Sequence, residues 1–185
     1  DRFGLLDSFE VDGITTLPGQ FDAVGTQNIN VAWAGVGQST DLINAYGFLR
    51  FVGAIAGGGE AAEPYLVNKI QAGTQSTYQA KTKSTGKLMA GLTAQQLQQM
   101  MVHNVKTVYG SEYFGTLTVG AKSGTAEVGE GIKPNATFAG FVEDEQYPLA
   151  FIVIVQDAGS GSSVCTTMAA SVLKACAAQM DQEVS

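Results

Sequence analysis

The sequence predicts an α+β fold, an α/β sandwich in which an antiparallel sheet is flanked by helices. Two stretches with apolar residues at helical spacing, each ending at glycine, precede three apolar segments rich in β-branched and aromatic residues. Short connections between these segments favour an antiparallel meander, and an alanine-rich helical stretch closes the chain. A length of 185 residues, 45% hydrophobic and 15% charged, indicates one folded domain or a large part of one.

The N-terminal region and the first helix come first. Residues 1–37 are rich in Gly, Asp, Thr and Gln, and they are predicted to be irregular connections with a turn at residues 17–19. A helix is predicted to follow, with Asp41 as its N-cap and an end at the glycines of residues 57–59. Its predicted apolar face consists of Leu42, Ala45, Tyr46, Leu49, Val52 and Ile55.

A polar region separates the two helices. Residues 64–67 are predicted to be extended, and residues 71–86 to form a hairpin or an exposed loop. Thr93, followed by Gln96, matches a capping box and predicts the start of a second helix, which ends at Gly110. The predicted apolar face of this helix consists of Leu97, Met100, Met101, Val105 and Val108.

Three strands and a final helix complete the predicted sandwich. The strands are predicted at residues 117–121, 136–142 and 149–156. The third is apolar on both faces, so it is predicted to be the central strand, covered on each side. The helix is predicted over residues 163–180, with one row of residues packed on the sheet. That row consists of Val164, Met168, Val172, Cys176 and Met180.

Charge and hydropathy exclude several classes of function. The net charge is −7, and 10 Lys and Arg residues are spread along the chain, which argues against nucleic-acid binding because phosphate contacts need clustered cations. The longest apolar runs fall far short of the roughly 20 residues that a transmembrane helix needs. The chain opens without the features of a signal peptide, so any export signal or membrane anchor is expected upstream of Asp1.

The sequence offers few metal ligands or thiols suited to catalysis. Cys165 and Cys176 lie in one predicted helix and would be about 16 Å apart there, too far for a disulfide. His103 is the only histidine, and its place beside Met101 and Val102 is typical of packing or surface positions. No residues have the spacing of a metal site, and no cofactor is expected.

Residues 122–127 (Lys-Ser-Gly-Thr-Ala-Glu) form the most informative motif of the chain. Lys122 supplies a positive charge and Ser123 a directed hydrogen-bond donor, while Gly124 lets a substrate backbone lie close against the strand edge. This grouping suits recognition of a substrate that carries a carboxylate. Glu127 is interpreted as a solvated residue at the end of the strand.

The order of these segments resembles that of the penicillin-binding protein transpeptidase domain, the D,D-transpeptidases that cross-link peptidoglycan. Residues 122–127 resemble the Lys-Thr/Ser-Gly strand in the motif set of these enzymes and the related β-lactamases. Residues 36–38 (Val-Gly-Gln) resemble the family's Ile-Gly-Gln-Gly segment. The glycines that end the first predicted helix resemble its Ala-Asn-Gly-Gly segment, and residues 64–67 resemble its Pro-x-Leu-Val segment. Residues 138–141, with the last strand and helix, resemble the end of the family's domain.

The chain departs from the family pattern at several positions. Ser39 stands where the family has glycine, Asn44-Ala45 where it usually has Thr-Pro, and Ser123 in place of the commoner threonine. The family's nucleophile motif is missing from its expected place, and no serine is followed two positions later by asparagine. We therefore expect residues 1–185 to be the C-terminal portion of a β-lactamase/transpeptidase-like domain whose N-terminal part, with the nucleophile, lies upstream.

One Ser-x-x-Lys match occurs at residues 84–87. Ser84 is not favoured as a nucleophile, because the match contains Gly86 and follows the helix that it should precede. The long segment from Gly37 to Val67 favours the transpeptidase over a β-lactamase-like serine hydrolase. That hydrolase, a non-catalytic peptide-binding module of the same fold and an unrelated soluble α/β domain stay open as alternatives.

The resemblance implies roles for the motif residues. An upstream serine would attack a D-Ala-D-Ala peptide bond and pass the acyl group to an amine on a neighbouring stem peptide. Lys122 would supply positive potential for the substrate carboxylate, and Ser123 and Thr125 would hydrogen-bond to it. The backbone after Gly124 would accept the substrate as an added strand and contribute an amide to the oxyanion hole. Lys122, Ser123 and Gly124 are thus the expected catalytic residues, and these three with Thr125 the expected substrate-binding residues.

The resemblance also implies partners and a location. The partners would be the peptidoglycan stem peptide and β-lactams, on the extracytoplasmic face of the bacterial membrane. The chain alone is expected to be inactive and to expose an apolar edge and face, which the missing N-terminal part or a second copy would cover.

Overall fold

The computed structural model describes residues 3–21, 28–38 and 41–184, and Ser39 lies outside these ranges. The predicted α+β architecture is confirmed, because a three-stranded antiparallel sheet carries helices on both faces. A π-helical turn, Val105–Tyr109, and a 3-10 turn, Ser111–Phe114, join the third helix to this sheet. The elements in chain order are β1 (Glu10–Val11), β2 (Ile14–Thr15), α1 (Asn28–Gly35), α2 (Ala45–Ala56), β3 (Lys69–Ala72), β4 (Gln75–Gln79), α3 (Gly91–Asn104), β5 (Val119–Ala126), β6 (Asn135–Val142), β7 (Ala150–Val155) and α4 (Gly161–Val184).

The N-terminal region contains more regular structure than its sequence predicts. β1 and β2 form a short hairpin, and α1 is a helix of eight residues within a region predicted to be irregular. A helix of this length spans about two turns, too few for an apolar period to stand out. Val31 and Trp33 of α1 are exposed, so the helix has no single apolar face in its described side chains.

α2 begins at Ala45 rather than directly after Asp41. Buried Asn44 is its N-cap, and the Asn44 side-chain oxygen accepts a hydrogen bond of 3.1 Å from the Gly47 amide. Leu42 therefore lies outside the helix and is exposed. The predicted end of the helix at the following glycines is confirmed.

The region from α2 to the large sheet follows the prediction in part. β3 and β4 form the predicted hairpin, and both strands are exposed along their whole length. α3 begins at Gly91 without a side-chain cap, so the predicted capping box at Thr93 is wrong. The chain leaves the π-helical turn at Gly110 as predicted, but Met100 and Val108 of the predicted apolar face are exposed.

The large sheet is an antiparallel meander of order β5-β6-β7, as the sequence predicts. Its register pairs Lys122 with Ala139 and Ser123 with Phe138. The central strand is β6, so the prediction that the third apolar segment is central is wrong for the described residues. β7 forms an edge there, and Ile154 is 50% exposed.

Two apolar clusters cover the faces of the sheet. α2 and α3 pack on one face, against Ala139 and Phe141 of β6. α4 and Tyr109 pack on the other face, against Ala136 and Phe138. Side chains of neighbouring strand residues point to opposite faces, so each face takes alternate residues of β6.

The buried row of α4 is not the predicted one. Its members are mostly small, which lets the helix approach the sheet closely, and they are Cys165, Ala169, Leu173 and Ala177. In the predicted row, Met168 and Val172 are exposed. Cys165 and Cys176 are free thiols, and burial raises the pKa of the Cys165 thiol. Within the described part of the chain, no helix has the length and apolar character needed to cross a membrane.

Candidate functional site at the edge of β5

The strand predicted at residues 117–121 continues through the motif, as the resemblance to the family's strand implies. β5 continues through Lys122, Ser123, Gly124 and Thr125 and ends at Ala126. β5 pairs with β6 on one side, and on its other side no described strand follows. The motif therefore lies on a sheet edge, where alternate backbone N–H and C=O groups are not used by the ladder.

The pairing pattern shows which backbone groups face the open edge. The amide of Glu143 donates to the Thr118 carbonyl at 2.7 Å, so even-numbered residues of this segment bond toward β6. Ser123 and Thr125 alternate with these residues and direct their N–H and C=O groups outward. The Ser123 amide does so, since it donates to the Tyr109 hydroxyl at 3.0 Å.

The side chains of the motif are divided between the two faces of the sheet. Lys122 lies on the face that carries α2 and α3, is exposed, and donates from Nζ to the Ser123 carbonyl at 2.6 Å. Ser123 and Thr125 lie on the α4 face. Thr125 Oγ1 accepts from the amide of Gly161 at 3.2 Å, which leaves the hydroxyl hydrogen of Thr125 available to a ligand.

Tyr109 is a site residue that the sequence does not predict. Its hydroxyl receives hydrogen bonds from both the amide and the side-chain Oγ of Ser123, at 3.0 and 3.1 Å. Its ring is buried edge-to-face on Phe138, with 5.2 Å between the ring centroids. Tyr109 thereby fixes the position of Ser123, and only its tertiary contacts reveal this role.

Two glycines allow close approaches near the motif, Gly124 within the sheet and Gly161 at the start of α4. A Cβ at this position would collide with Oγ1 of Thr137 on β6. A Cβ on Gly161, the first residue of α4, would collide with the carbonyl oxygens of Gly124 and Thr137. The missing Cβ of Gly161 thereby lets the start of α4 lie against the backbones of β5 and β6.

The other candidate residues lie in settings that do not favour catalysis. Ser84 pairs with Ala62 in an isolated bridge rather than starting a helix, and its Oγ donates to Glu60 at 3.1 Å. His103 is exposed on the last turn of α3, and Glu127 is exposed beyond β5. Across residues 3–21, 28–38 and 41–184, no group of His, Cys, Asp and Glu is suited to holding a metal ion.

A cavity of about 700 Å³ lies away from the motif. It is formed by the end of α2 and by the connection between β6 and β7, and Glu60, Glu143, Asp144 and Glu145 are among its lining residues. This connection adjoins Val142, whereas Thr125 pairs with Ala136 near the opposite end of β6. The candidate site is therefore the exposed strand edge and not this cavity.

Comparison with known proteins relates this fold to cell-wall enzymes. The solved structure of penicillin-binding protein A from Mycobacterium tuberculosis, a ceftriaxone acyl-enzyme complex, aligns with a TM-score of 0.83 and 18% identity over 95% of this chain and 41% of that one. The D,D-transpeptidase domain of a peptidoglycan glycosyltransferase from Eggerthella lenta aligns with a TM-score of 0.78 and 20% identity, over 100% and 47% of the two chains. For Pseudomonas aeruginosa PBP2 in complex with WCK 5153 the TM-score is 0.72 and the identity 19%, over 94% and 40%.

The chain thus spans less than half the length of each of these structures. Comparison with curated protein sequences found no match. The sequence model of the family described as the penicillin binding protein transpeptidase domain matches residues 4–174, which is most of the chain. The protein accordingly belongs to the penicillin-binding protein transpeptidase domain family.

Proposed function

We propose that this chain is the C-terminal portion of a D,D-transpeptidase that cross-links peptidoglycan stem peptides by serine acyl transfer and that binds penicillin. The observation that carries this proposal is the open edge of β5, which includes Lys122, Ser123 and Thr125. Penicillin-binding protein A, which shares the fold, is known as acyl-enzyme complexes with ceftriaxone and imipenem, and this supports β-lactams as ligands.

The edge has the chemistry that a peptide ending in a carboxylate needs. Lys122 brings a positive charge, and the Thr125 hydroxyl has a hydrogen to donate. An extended peptide would pair with the N–H and C=O groups of Thr125 as an added strand. The Thr125 amide would also donate to the oxyanion, and loss of one such donor costs about 2.7–4 kcal/mol of transition-state stabilisation.

The sheet face beside Lys122 leaves room for the nucleophile. On the α2 and α3 face, the row formed by Gly124, Thr137 and Ile154 is only partly covered, and Ile154 is 50% exposed. We expect the upstream part of the domain, with its serine, to pack over this row, which adjoins Lys122 along β5. Because the substrate is a cell-wall peptide, the parent protein would act on the extracytoplasmic face, held by an anchor upstream.

Acylation of the full-length protein tests this proposal. A fluorescent penicillin is expected to form a covalent adduct, and Lys122→Ala is expected to lower the acylation rate by about 10²–10³-fold, the usual loss for one electrostatic donor. Lys133→Ala, which alters an exposed lysine between β5 and β6, is the matched control and should leave the rate unchanged.

Three outcomes would contradict the transpeptidase proposal. A full-length protein that binds penicillin without an adduct would be a non-catalytic peptide-binding module. Rapid hydrolysis of the adduct would indicate a β-lactamase-like hydrolase. An adduct that is lost in Ser84→Ala would place the nucleophile within this chain.

A further inference from the structure

Most of the backbone groups that point outward from the edge of β5 are hydrogen-bonded to side chains of the chain itself. The amide of Ser123 donates to Tyr109, and its carbonyl accepts from Lys122 Nζ. The carbonyl of Thr125 accepts a hydrogen bond of 3.0 Å from Nε2 of Gln38, a residue 87 positions away in the sequence. Of these four outward backbone groups, only the Thr125 N–H has no partner among the described residues.

The end of α1 delivers Gln38 to this edge. The Gln38 amide donates to the Trp33 carbonyl at 3.1 Å, and the Gly37 amide donates to the Ala34 carbonyl at 3.0 Å. Gly37 has a φ of +70°, so these two bonds form a Schellman motif with glycine in the left-handed position. The motif turns the chain out of α1 and leaves the half-buried Gln38 side chain beside β5.

We propose that Gln38 is a displaceable cap on the peptide-docking edge, a role that rests on the proposed function. The primary amide of Gln38 gives Thr125 the same N–H···O=C hydrogen bond that the amide of a bound peptide or penicillin side chain would give. A paired strand lies about 4.8 Å from its neighbour, and a donor 3.0 Å from the Thr125 oxygen lies within that space. Ligand and Gln38 therefore compete for one position.

The competition predicts faster acylation when the cap is removed. In the full-length protein, Gln38→Ala deletes the amide, and Gln38→Glu keeps the shape but replaces the donor by a carboxylate, which the Thr125 carbonyl repels. The second-order rate constant for acylation by a fluorescent penicillin is expected to rise about three- to tenfold in both variants, the value of one net hydrogen bond. Gln75→Glu makes the same change of charge in exposed β4 and should have no effect.

A second measurement follows the cap directly. The side-chain amide of Gln38, observed by ¹⁵N NMR, should be protected from exchange in the free protein and lose this protection in the penicillin adduct. Gly37→Ala, which strains the left-handed turn that positions Gln38, should raise the acylation rate in the same direction as Gln38→Ala.

The outcomes separate the two proposals. Acylation of the wild type with unchanged or slower rates in Gln38→Ala and Gln38→Glu, at wild-type thermal stability, would refute the cap alone. Protection of the Gln38 amide that persists in the adduct would also refute it. A wild type that no penicillin acylates would refute the proposed function, and the cap would then have no ligand to compete with.

Discussion

At the scale of single residues, Tyr109 and Ser123 show how the open edge of β5 is held in place. The buried Tyr109 hydroxyl accepts from two groups of Ser123, from the amide at 3.0 Å, a usual N–H···O length, and from Oγ at 3.1 Å. The ring itself packs on Phe138, which fixes the position of the hydroxyl. Ser123 is thereby oriented within a strand that has no neighbour on that side among the described residues.

Tyr109→Phe should therefore weaken this part of the edge without opening a cavity. Loss of the hydroxyl leaves the Ser123 amide without its acceptor, and the expected loss of unfolding free energy is about 1–3 kcal/mol. Urea denaturation of the full-length protein measures it. Tyr113→Phe, which changes an exposed tyrosine in the neighbouring 3-10 turn, should stay within about 0.5 kcal/mol of the wild type. Equal effects of the two substitutions would contradict the role of the Tyr109 hydroxyl.

Residues of the candidate site were predictable from the sequence only where they belong to one contiguous motif. Lys122, Ser123, Gly124 and Thr125 are adjacent, so their chemistry is visible in the sequence, and the structure brings them to a strand edge. Gln38 is 87 residues from its partner Thr125. Such a contact depends on how α1 and β5 are placed in space, and no spacing rule along the chain encodes it.

At the scale of elements, Asn44 joins the start of α2 to the N-terminal segment. Its oxygen caps the helix through the Gly47 amide, while its Nδ2 donates to the carbonyls of Asp7 and Leu17 at 3.0 and 2.6 Å. Nδ2 also lies 2.7 Å from Thr16 Oγ1, so its two hydrogens are shared among three acceptors. One buried side chain thus performs a local and a tertiary function.

Two substitutions separate these functions of Asn44. Asn44→Ala removes both and should cost about 0.5–2 kcal/mol of unfolding free energy from the cap alone. Asn44→Asp keeps the cap oxygen but replaces the donor by a carboxylate oxygen that faces two carbonyls, so we expect a loss at least as large. Urea denaturation midpoints of the full-length protein measure both. If Asn44→Asp were as stable as the wild type, the links to the N-terminal segment would contribute little.

The elements themselves were more predictable than their ends and faces. The meander of β5, β6 and β7 follows from three apolar segments with short connections, and the glycines that end α2 are local signals. The prediction of where α2 begins was wrong because Asp41 and Asn44 are both good N-cap residues. The tertiary hydrogen bonds of Asn44 favour it as the cap. The prediction of which row of α4 is buried was wrong because a row of large and a row of mostly small apolar residues lie side by side on the helix. Close packing on the sheet favours burial of the row with the smaller residues.

At the scale of the whole molecule, apolar side chains remain uncovered on two sides of the sheet. Met168 and Val172 lie on the outer side of α4, and Ile154 lies on the opposite face of the sheet. β7 was predicted to be the central strand because it has the apolar composition of a strand with two neighbours and two covered faces. We expect the upstream part of the proposed domain to cover these surfaces, since the chain spans less than half the length of its structural relatives.

Ile154 tests whether the upstream part completes the sandwich. In the full-length protein, Ile154→Ala should cost about 2–5 kcal/mol if the side chain is buried there, as for other large-to-small core substitutions. Ile70→Ala is a matched control, because Ile70 also lies in a strand and is 51% exposed against 50% for Ile154. Its cost should stay near that of an ordinary surface position, within about 0.5 kcal/mol. Chemical denaturation of the two variants measures the difference, and equal costs would mean that the sheet face beside Lys122 stays open to solvent, with no upstream element to carry a nucleophile over it.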